Sequence, residues 1–188
     1  MFMLERIASV LQNRAQKESI SNVEISSSDN TVFSQLGCRI GSKPYILAVT
    51  PEETLHELHI IVLSLFKLSK EDGVMLPRLF QLNLALGCGT LCIEPTKRTV
   101  YLKIQHFCEN RDGPAPEFLE RLLLRCVKDV RAIEHVLLFA SMLKSGLPEE
   151  KAEQLIKSIF GDDFISGWNR LVKTKKQISP KRFKGRKS

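Results

Sequence analysis

The side chains best suited to catalysis or metal binding are four histidines and five cysteines. The histidines are His56, His59, His106 and His135. None lies in a recognised metal or nucleophile motif, and a spacing of three places His56 and His59 on opposite faces of a strand, whereas zinc ligands must converge. The stretch Gly87-Cys88-Gly89-Thr90 lacks the lysine and the following helix of a phosphate-binding loop. The sequence therefore predicts a protein without enzymatic activity, metal or cofactor.

The cysteines and the apolar segments indicate a compartment. The cysteines are Cys38, Cys88, Cys92, Cys108 and Cys126. An odd count is typical of reduced thiols in a reducing compartment. Glu5 and Arg6 precede any long apolar run, so we expect no secretory signal. The longest apolar segment, residues 58–66, is far shorter than the ~20 residues of a membrane span, and we expect a soluble, cytoplasmic protein.

The net charge of +7 is concentrated at the C-terminus. Residues 1–172 hold 20 basic and 21 acidic side chains, so this part is nearly neutral. Residues 173–188 hold no acid and eight basic residues, Lys173, Lys175, Lys176, Lys181, Arg182, Lys184, Arg186 and Lys187. Such a tail could bind nucleic acid phosphates, anionic lipid or an acidic protein face. It could equally be a solubilising terminus without a dedicated partner, disordered when unbound.

Apolar periodicity predicts the elements that carry these side chains. They are, in order, a helix over 2–17, strands over 32–40, 44–50 and 58–68, a helix over 77–86, strands over 90–94 and 99–107, a long helix over 116–143, a helix over 148–160 and a last helical piece over 164–171. The polar residues 18–30 predict a loop, with a short strand at Val23–Ile25 as an option.

The order of these elements predicts the fold class. Because strands and helices are segregated, we expect an α+β fold with an antiparallel five-stranded sheet, in the order α-β-β-β-α-β-β-α plus a C-terminal helical extension. We divide the chain into an α+β domain over 1–146, a helical appendix over 147–172 and the basic tail over 173–188.

Two segments of the sequence are apolar on more than one side, so each must be buried by more than one neighbouring surface. The third strand contains the run Ile60-Ile61-Val62-Leu63 without a polar face, so we expect a central strand covered on both sides. The helix over 77–86 is apolar on nearly every side. Its own sheet can bury one surface, and a partner subunit could bury the other.

Four stretches of the chain carry a family resemblance. They are Pro-Arg-Leu-Phe-Gln-Leu-Asn-Leu-Ala-Leu-Gly from Pro77, Gly-Thr-Leu-Cys-Ile-Glu from Gly89, Thr-Val-Tyr-Leu-Lys-Ile from Thr99 and Pro-Glu-Phe-Leu-Glu-Arg-Leu-Leu-Leu from Pro116. Together they resemble the class I type III secretion chaperones (the Tir-chaperone-like family), whose fold the YbjN-like domains share. The resemblance is clearest over residues 77–140, where Asn83 falls in the helix as an Asn commonly does in that family.

The resemblance implies a function in virulence. Members are small cytoplasmic homodimers that bind the N-terminal segment of secreted effectors, keep it non-globular and deliver it to the export apparatus. An export ATPase or sorting-platform proteins would be further partners. Apolar grooves and an open sheet edge would hold the client. The candidate effector-binding residues are Met3, Leu4, Ile7, Leu11, Val32, Phe33, Tyr45 and Leu47. The alternative is that these positions close the core.

The same resemblance places a two-fold dimer contact on the 77–86 helix and the following strand. The candidate dimer-interface residues are Leu79, Phe80, Asn83, Leu84, Leu86, Leu91 and Ile93. The alternative is that the long final helix buries them within one chain. A second hypothesis for the whole protein is an adaptor that binds nucleic acid or anionic membrane through residues 173–188.

Overall fold

The computed structural model describes residues 2–52, 56–68, 82–83, 86–108 and 114–160. Their helices and strands are α1 (Phe2–Glu18), β1 (Ile20–Ser26), β2 (Thr31–Leu36), β3 (Tyr45–Glu52), β4 (Glu57–Lys67), β5 (Thr90–Glu94), β6 (Thr99–Phe107), α2 (Pro116–Lys144) and α3 (Glu149–Phe160). The strands form one antiparallel sheet in the order β1-β2-β3-β4-β6-β5. The predicted α+β class and antiparallel sheet are confirmed.

The predicted number of five strands is wrong, because the described residues form six. The additional strand is β1, which occupies the segment predicted to be a loop. Its outward residues Ser21, Asn22 and Glu24 are polar and exposed. A bulge between Ser21 and Glu24 also interrupts the two-residue alternation by which a strand is recognised.

The second strand, β2, ends at Leu36, four residues before the predicted end. The residues after it bond to α2 instead of continuing the ladder. The Glu134 carboxylate accepts the backbone N–H of Arg39 at 2.8 Å, and the Arg131 guanidinium donates to the Gly37 carbonyl at 2.8 Å. A strand pattern in the sequence cannot show this competition, because the partners lie about 95 residues away along the chain.

The core lies between the helices and one face of the sheet, which we call the inner face. Its largest fully buried side chains include Ile7, Leu11, Leu36, Leu47, Ile60, Leu102 and Leu119. Each contributes about 1.5–3 kcal/mol through burial. Gly89 lies so close to this core that an added Cβ would collide with Leu102 Cδ1. Only glycine fits at that point without a shift of the leucine.

The long helix α2 ends in a glycine cap that redirects the chain. Gly146 has a left-handed φ of 86°, and the N–H of Leu147 donates to the Met142 carbonyl at 3.1 Å, as in a Schellman motif. The chain then enters α3, which packs on the end of α2 through Phe139, Ala152 and Ile156. The helices predicted to begin at Pro116 and near Pro148 are thus confirmed.

Three predicted segments fall largely outside the described residues. The helix over 77–86 is described as helical only at Leu82 and Asn83, of which Leu82 is buried in the core. The helical piece over 164–171 and the basic tail lie wholly outside. Within the described ranges, no helix combines the length and the apolar character required to cross a membrane.

Candidate functional site

The outer face of the sheet, opposite the core, carries an apolar patch on three adjacent strands. Cross-strand pairing aligns Phe33 with Ala48 and Ala48 with Ile61, and the next row aligns Ile46 with Leu63. We call these five residues the outer-face patch. They alternate along β2, β3 and β4 with the residues that fill the core, as the pleat requires.

No described helix covers the outer-face patch. Ile46 is 43% exposed and Leu63 is 36% exposed, whereas the small Ala48 between the neighbouring strands is buried. None of the five packs in the inner core cluster. The central position predicted for the third strand is confirmed, because β4 lies between β3 and β6. We expected both faces of β4 to be covered, but the described residues do not supply a cover for its outer face. Contiguous apolar surface of this kind marks interaction sites in soluble proteins.

Polar side chains border the patch in the adjacent row of the sheet. The hydroxyls of Thr31 and Thr50 lie 2.8 Å apart. The Glu57 carboxylate accepts hydrogen bonds from His59 Nε2 at 2.6 Å and from Gln105 Nε2 at 2.7 Å. The bond from His59, followed by the bond from Gln105, lowers the pKa of Glu57 below its usual range.

The Glu57 interaction predicts a pH dependence of stability. A carboxyl whose pKa is lowered by folding stabilises the protein above its unfolded pKa, and this stabilisation is lost as pH falls through the folded pKa. Glu57→Gln should therefore be less stable than the parent at about pH 6, and the difference should be smaller at about pH 3, below the usual pKa of a glutamate. Urea unfolding at both pH values measures it. Glu24→Gln, at an exposed site of β1, is the control, and an equal effect there would contradict the assignment.

The borders of the sheet are less open than the sequence predicts. Asn83 occupies the outer border of β5, where its Oδ1 accepts the N–H of Leu91 at 2.6 Å and its Nδ2 donates to the Leu91 carbonyl at 3.3 Å. These are the two bonds that an added strand would make at Leu91. At the other border, β1 has its bulge and a left-handed Asn22 with φ of 51°. Bulged borders disfavour strand addition.

Asn83 should therefore stabilise the fold through Leu91. Asn83→Ala leaves a backbone N–H and carbonyl of a buried residue without partners, so we expect a loss of about 1–3 kcal/mol in unfolding free energy. Chemical unfolding at fixed protein concentration measures it. Gln35→Ala is the matched control, because the Gln35 side chain accepts from the Asn22 side chain at 2.9 Å and from no backbone group of the described residues. A loss of similar size in both variants would contradict this role.

The predicted effector-binding residues divide between the core and the outer face. Six are exposed by 4% or less, namely Leu4, Ile7, Leu11, Val32, Tyr45 and Leu47. Their placement matches the alternative that they close the core, because the apolar stripe of α1 packs onto the inner face. Met3 is half-buried against the core, and Phe33 lies in the outer-face patch.

Sequence reasoning misses the other four patch residues, which are Ile46, Ala48, Ile61 and Leu63. A usable signal was the unbroken apolar run over residues 60–63. Alternate residues of that run fill the core, so its remaining residues need another cover.

The predicted dimer-interface residues are only partly described. Leu79, Phe80 and Leu84 lie outside the described residues. Leu86 and Ile93 are half-buried against the core, Leu91 is 8% exposed, and Asn83 holds the border of β5. A two-fold contact through this region stays a prediction.

Asp129 of α2 fixes the chain next to the predicted dimer region. Its carboxylate accepts the backbone N–H groups of Gly87 at 2.7 Å, Cys88 at 3.1 Å and Gly89 at 3.0 Å. A buried carboxylate with three backbone donors is a strong, charge-assisted anchor. Sequence reasoning misses Asp129, because one acidic residue on a long helix resembles a solvated one until its partners are known.

Burial affects the chemistry of two cysteines in the described part of the chain. All five cysteines are free thiols. Burial raises the pKa of Cys126, and burial together with the Asp129 charge raises that of Cys88 to about 12. Both thiols therefore stay protonated near neutral pH and are poor nucleophiles. Among the described residues, no three His, Cys, Asp or Glu side chains converge as metal ligands.

Comparisons with known proteins give a likeness among solved structures alone. No protein-family model and no curated protein matches the chain. Among solved structures, the chain is similar to one described as the structure of the HopA1-SchA chaperone–effector complex. The TM-score is 0.43 at 11% sequence identity, and the match covers 70% of this chain and 94% of that chain. We therefore infer the function from the residues and geometry of this chain.

Proposed function

We propose that this protein is a homodimeric, cytoplasmic chaperone of type III secretion. It binds the N-terminal segment of effector proteins, keeps that segment non-globular and delivers it to the export apparatus. The outer-face patch is the observation that carries the proposal, because it is apolar surface that no described helix covers. The resemblance of residues 77–140 to class I chaperones supports the proposal that the client is a type III secretion effector.

The geometry of the patch suits an extended polypeptide. Along β3 and β4, patch residues two positions apart, such as Ile46 and Ala48, lie about 6.7 Å from each other, and an extended client presents one side chain to the same side at the same interval. Apolar contact is non-directional, so many client sequences can bind. At the border of the patch, Thr50 and Gln105, which are not buried, offer hydrogen-bonding groups for the client backbone.

Binding on the face of the sheet also explains how a client could stay unfolded. A few apolar anchors bind a segment without giving it a core of its own, and the ordering cost of the chain keeps such binding moderate. Two copies joined near β5 would present two patches to one client. The second contact would then be intramolecular and would raise the overall affinity.

The experiment that tests this function is a pull-down of the untagged protein from its native cytosol, read by mass spectrometry. The proposal predicts recovery of exported polypeptides bound through their N-terminal segments. Recovery of RNA or lipid alone would contradict it.

Deleting residues 173–188 separates the chaperone from the adaptor that the sequence left open. A chaperone that binds through the outer-face patch retains its client after the deletion. An adaptor that uses the eight basic residues of the tail loses its partner. Sedimentation velocity of both proteins with the recovered client measures the difference.

A further inference from the structure

The helical side of the molecule carries a second surface, which is distinct from the outer-face patch. A cleft of about 240 Å³ opens on α2 and is lined by Phe118, Leu122, Arg121 and Arg125. The Phe118 ring also packs against His106 of β6, with ring centroids 4.5 Å apart. The floor of the cleft is therefore apolar and fixed, while its two sides are cationic.

The cations of this cleft are arranged along one face of α2. Arg121 and Arg125 are one helical turn apart, about 6 Å along the axis, and Lys128 follows about 4.5 Å further. All three side chains are exposed. Within the described ranges, none of them has an ion-pair partner. The Nε of Arg121 donates to the Glu117 carbonyl at 3.3 Å, which leaves the outer guanidinium nitrogens to face solvent.

We infer that this cleft binds an acidic polypeptide segment in which a large apolar side chain is flanked by carboxylates. The apolar side chain would occupy the space over Phe118 and Leu122, and the carboxylates would pair with Arg121 and Arg125, whose planar guanidinium groups match them. Charge complementarity decides the class of partner. A nucleic acid backbone would use the cations and leave the apolar floor unfilled, so the cleft favours a polypeptide.

The test uses the full chain and three fluorescein-labelled peptides in fluorescence anisotropy titrations. The first peptide repeats Glu-Leu-Glu-Gly, the second has Lys in place of Glu, and the third has Ser in place of Leu. We expect the first to bind about tenfold more tightly than either of the others, because it alone satisfies both parts of the cleft. Raising NaCl from about 0.1 M to about 1 M should weaken this binding.

A charge reversal makes the test specific to the cleft. Arg121→Glu with Arg125→Glu should lower the affinity for the Glu-Leu peptide about tenfold and create affinity for the Lys-Leu peptide. Lys17→Glu with Lys43→Glu makes the same change in net charge at exposed sites elsewhere and should change neither affinity more than about twofold. Arg121→Gln with Arg125→Gln should give an intermediate loss, and thermal unfolding confirms that each variant is folded.

Three results would overturn the inference. The first is equal binding of the Glu-Leu and Glu-Ser peptides, which would show that the apolar floor of the cleft does not contribute to the affinity. The second is an equal loss of affinity for the Glu-Leu peptide in the cleft and control variants, which would show that binding depends only on the net charge of the protein. The third is that the parent protein binds a sixteen-nucleotide dT strand but none of the peptides, and that the cleft variant loses the dT strand. This result would show that the cleft binds nucleic acid. Capture of an effector through the outer-face patch is independent of all three, and the cleft variants should retain it.

Discussion

Replacing Glu134 with Gln is expected to lower the free energy of unfolding by about 3–5 kcal/mol. Glu134 is fully buried, and it accepts from the Arg131 guanidinium at 3.0 Å and from the Arg39 backbone at 2.8 Å. Removing its charge leaves the Arg131 guanidinium, which is also largely buried, without compensation. The same change loosens the joint between α2 and the chain that follows β2.

Urea unfolding at fixed protein concentration measures this effect, because dimer formation would make stability depend on concentration. The matched control is Glu120→Gln on the same helix. Glu120 pairs with Arg14 of α1 at the surface, where the two side chains are 35% and 26% exposed. A surface pair contributes at most about 1 kcal/mol. Similar losses in the two variants would contradict the role assigned to the buried pair.

The second large effect is expected at the outer-face patch. Ile46→Lys with Leu63→Lys should weaken client binding by a factor of about 100 or more, because each apolar anchor contributes about 1.5–3 kcal/mol when buried. Both side chains are exposed in the free protein, so the variant should fold, and thermal unfolding measures the cost of placing two lysines opposite each other on β3 and β4. The affinity for an N-terminal client segment recovered by pull-down, determined by isothermal titration calorimetry, is the measured quantity.

A matched control separates the patch from surface hydrophobicity in general. Leu155 on α3 is 45% exposed, which is close to the 43% of Ile46, and it lies outside the sheet. Leu155→Lys should leave client affinity within about twofold, since exposed apolar side chains are common on protein surfaces. Equal losses of client affinity in this variant and in the patch variant would show that the client does not bind specifically to the outer face.

The elements with a strong period were predictable from the sequence. The apolar spacing of α2 and the prolines before α2 and α3 placed both helices, since proline is well tolerated in the first helical turn. The strands β2 to β6 were likewise predictable from the spacing of their apolar residues. β1 was missed because its bulge breaks the alternation between Ser21 and Glu24, and a local pattern cannot show a pairing that only the neighbouring strand stabilises.

The candidate site was predictable only in part. Of the eight residues predicted to bind effector, Phe33 lies in the outer-face patch and six lie in the core, because an apolar period does not tell a core face from a binding face. The roles of Glu134, Asp129 and Asn83 depend on partners brought together by the fold. Their residue types alone are equally compatible with a solvated surface.

Site-specific photo-crosslinking measures most directly whether the client lies on the outer face. The photoreactive amino acid benzoylphenylalanine is placed at position 46 in one protein and at position 155 in another, two sites of nearly equal exposure. With the recovered client present, binding on the outer-face patch predicts crosslinks from position 46 to the client's N-terminal segment and none from position 155. Crosslinks from position 155 alone, or from both positions equally, would contradict it.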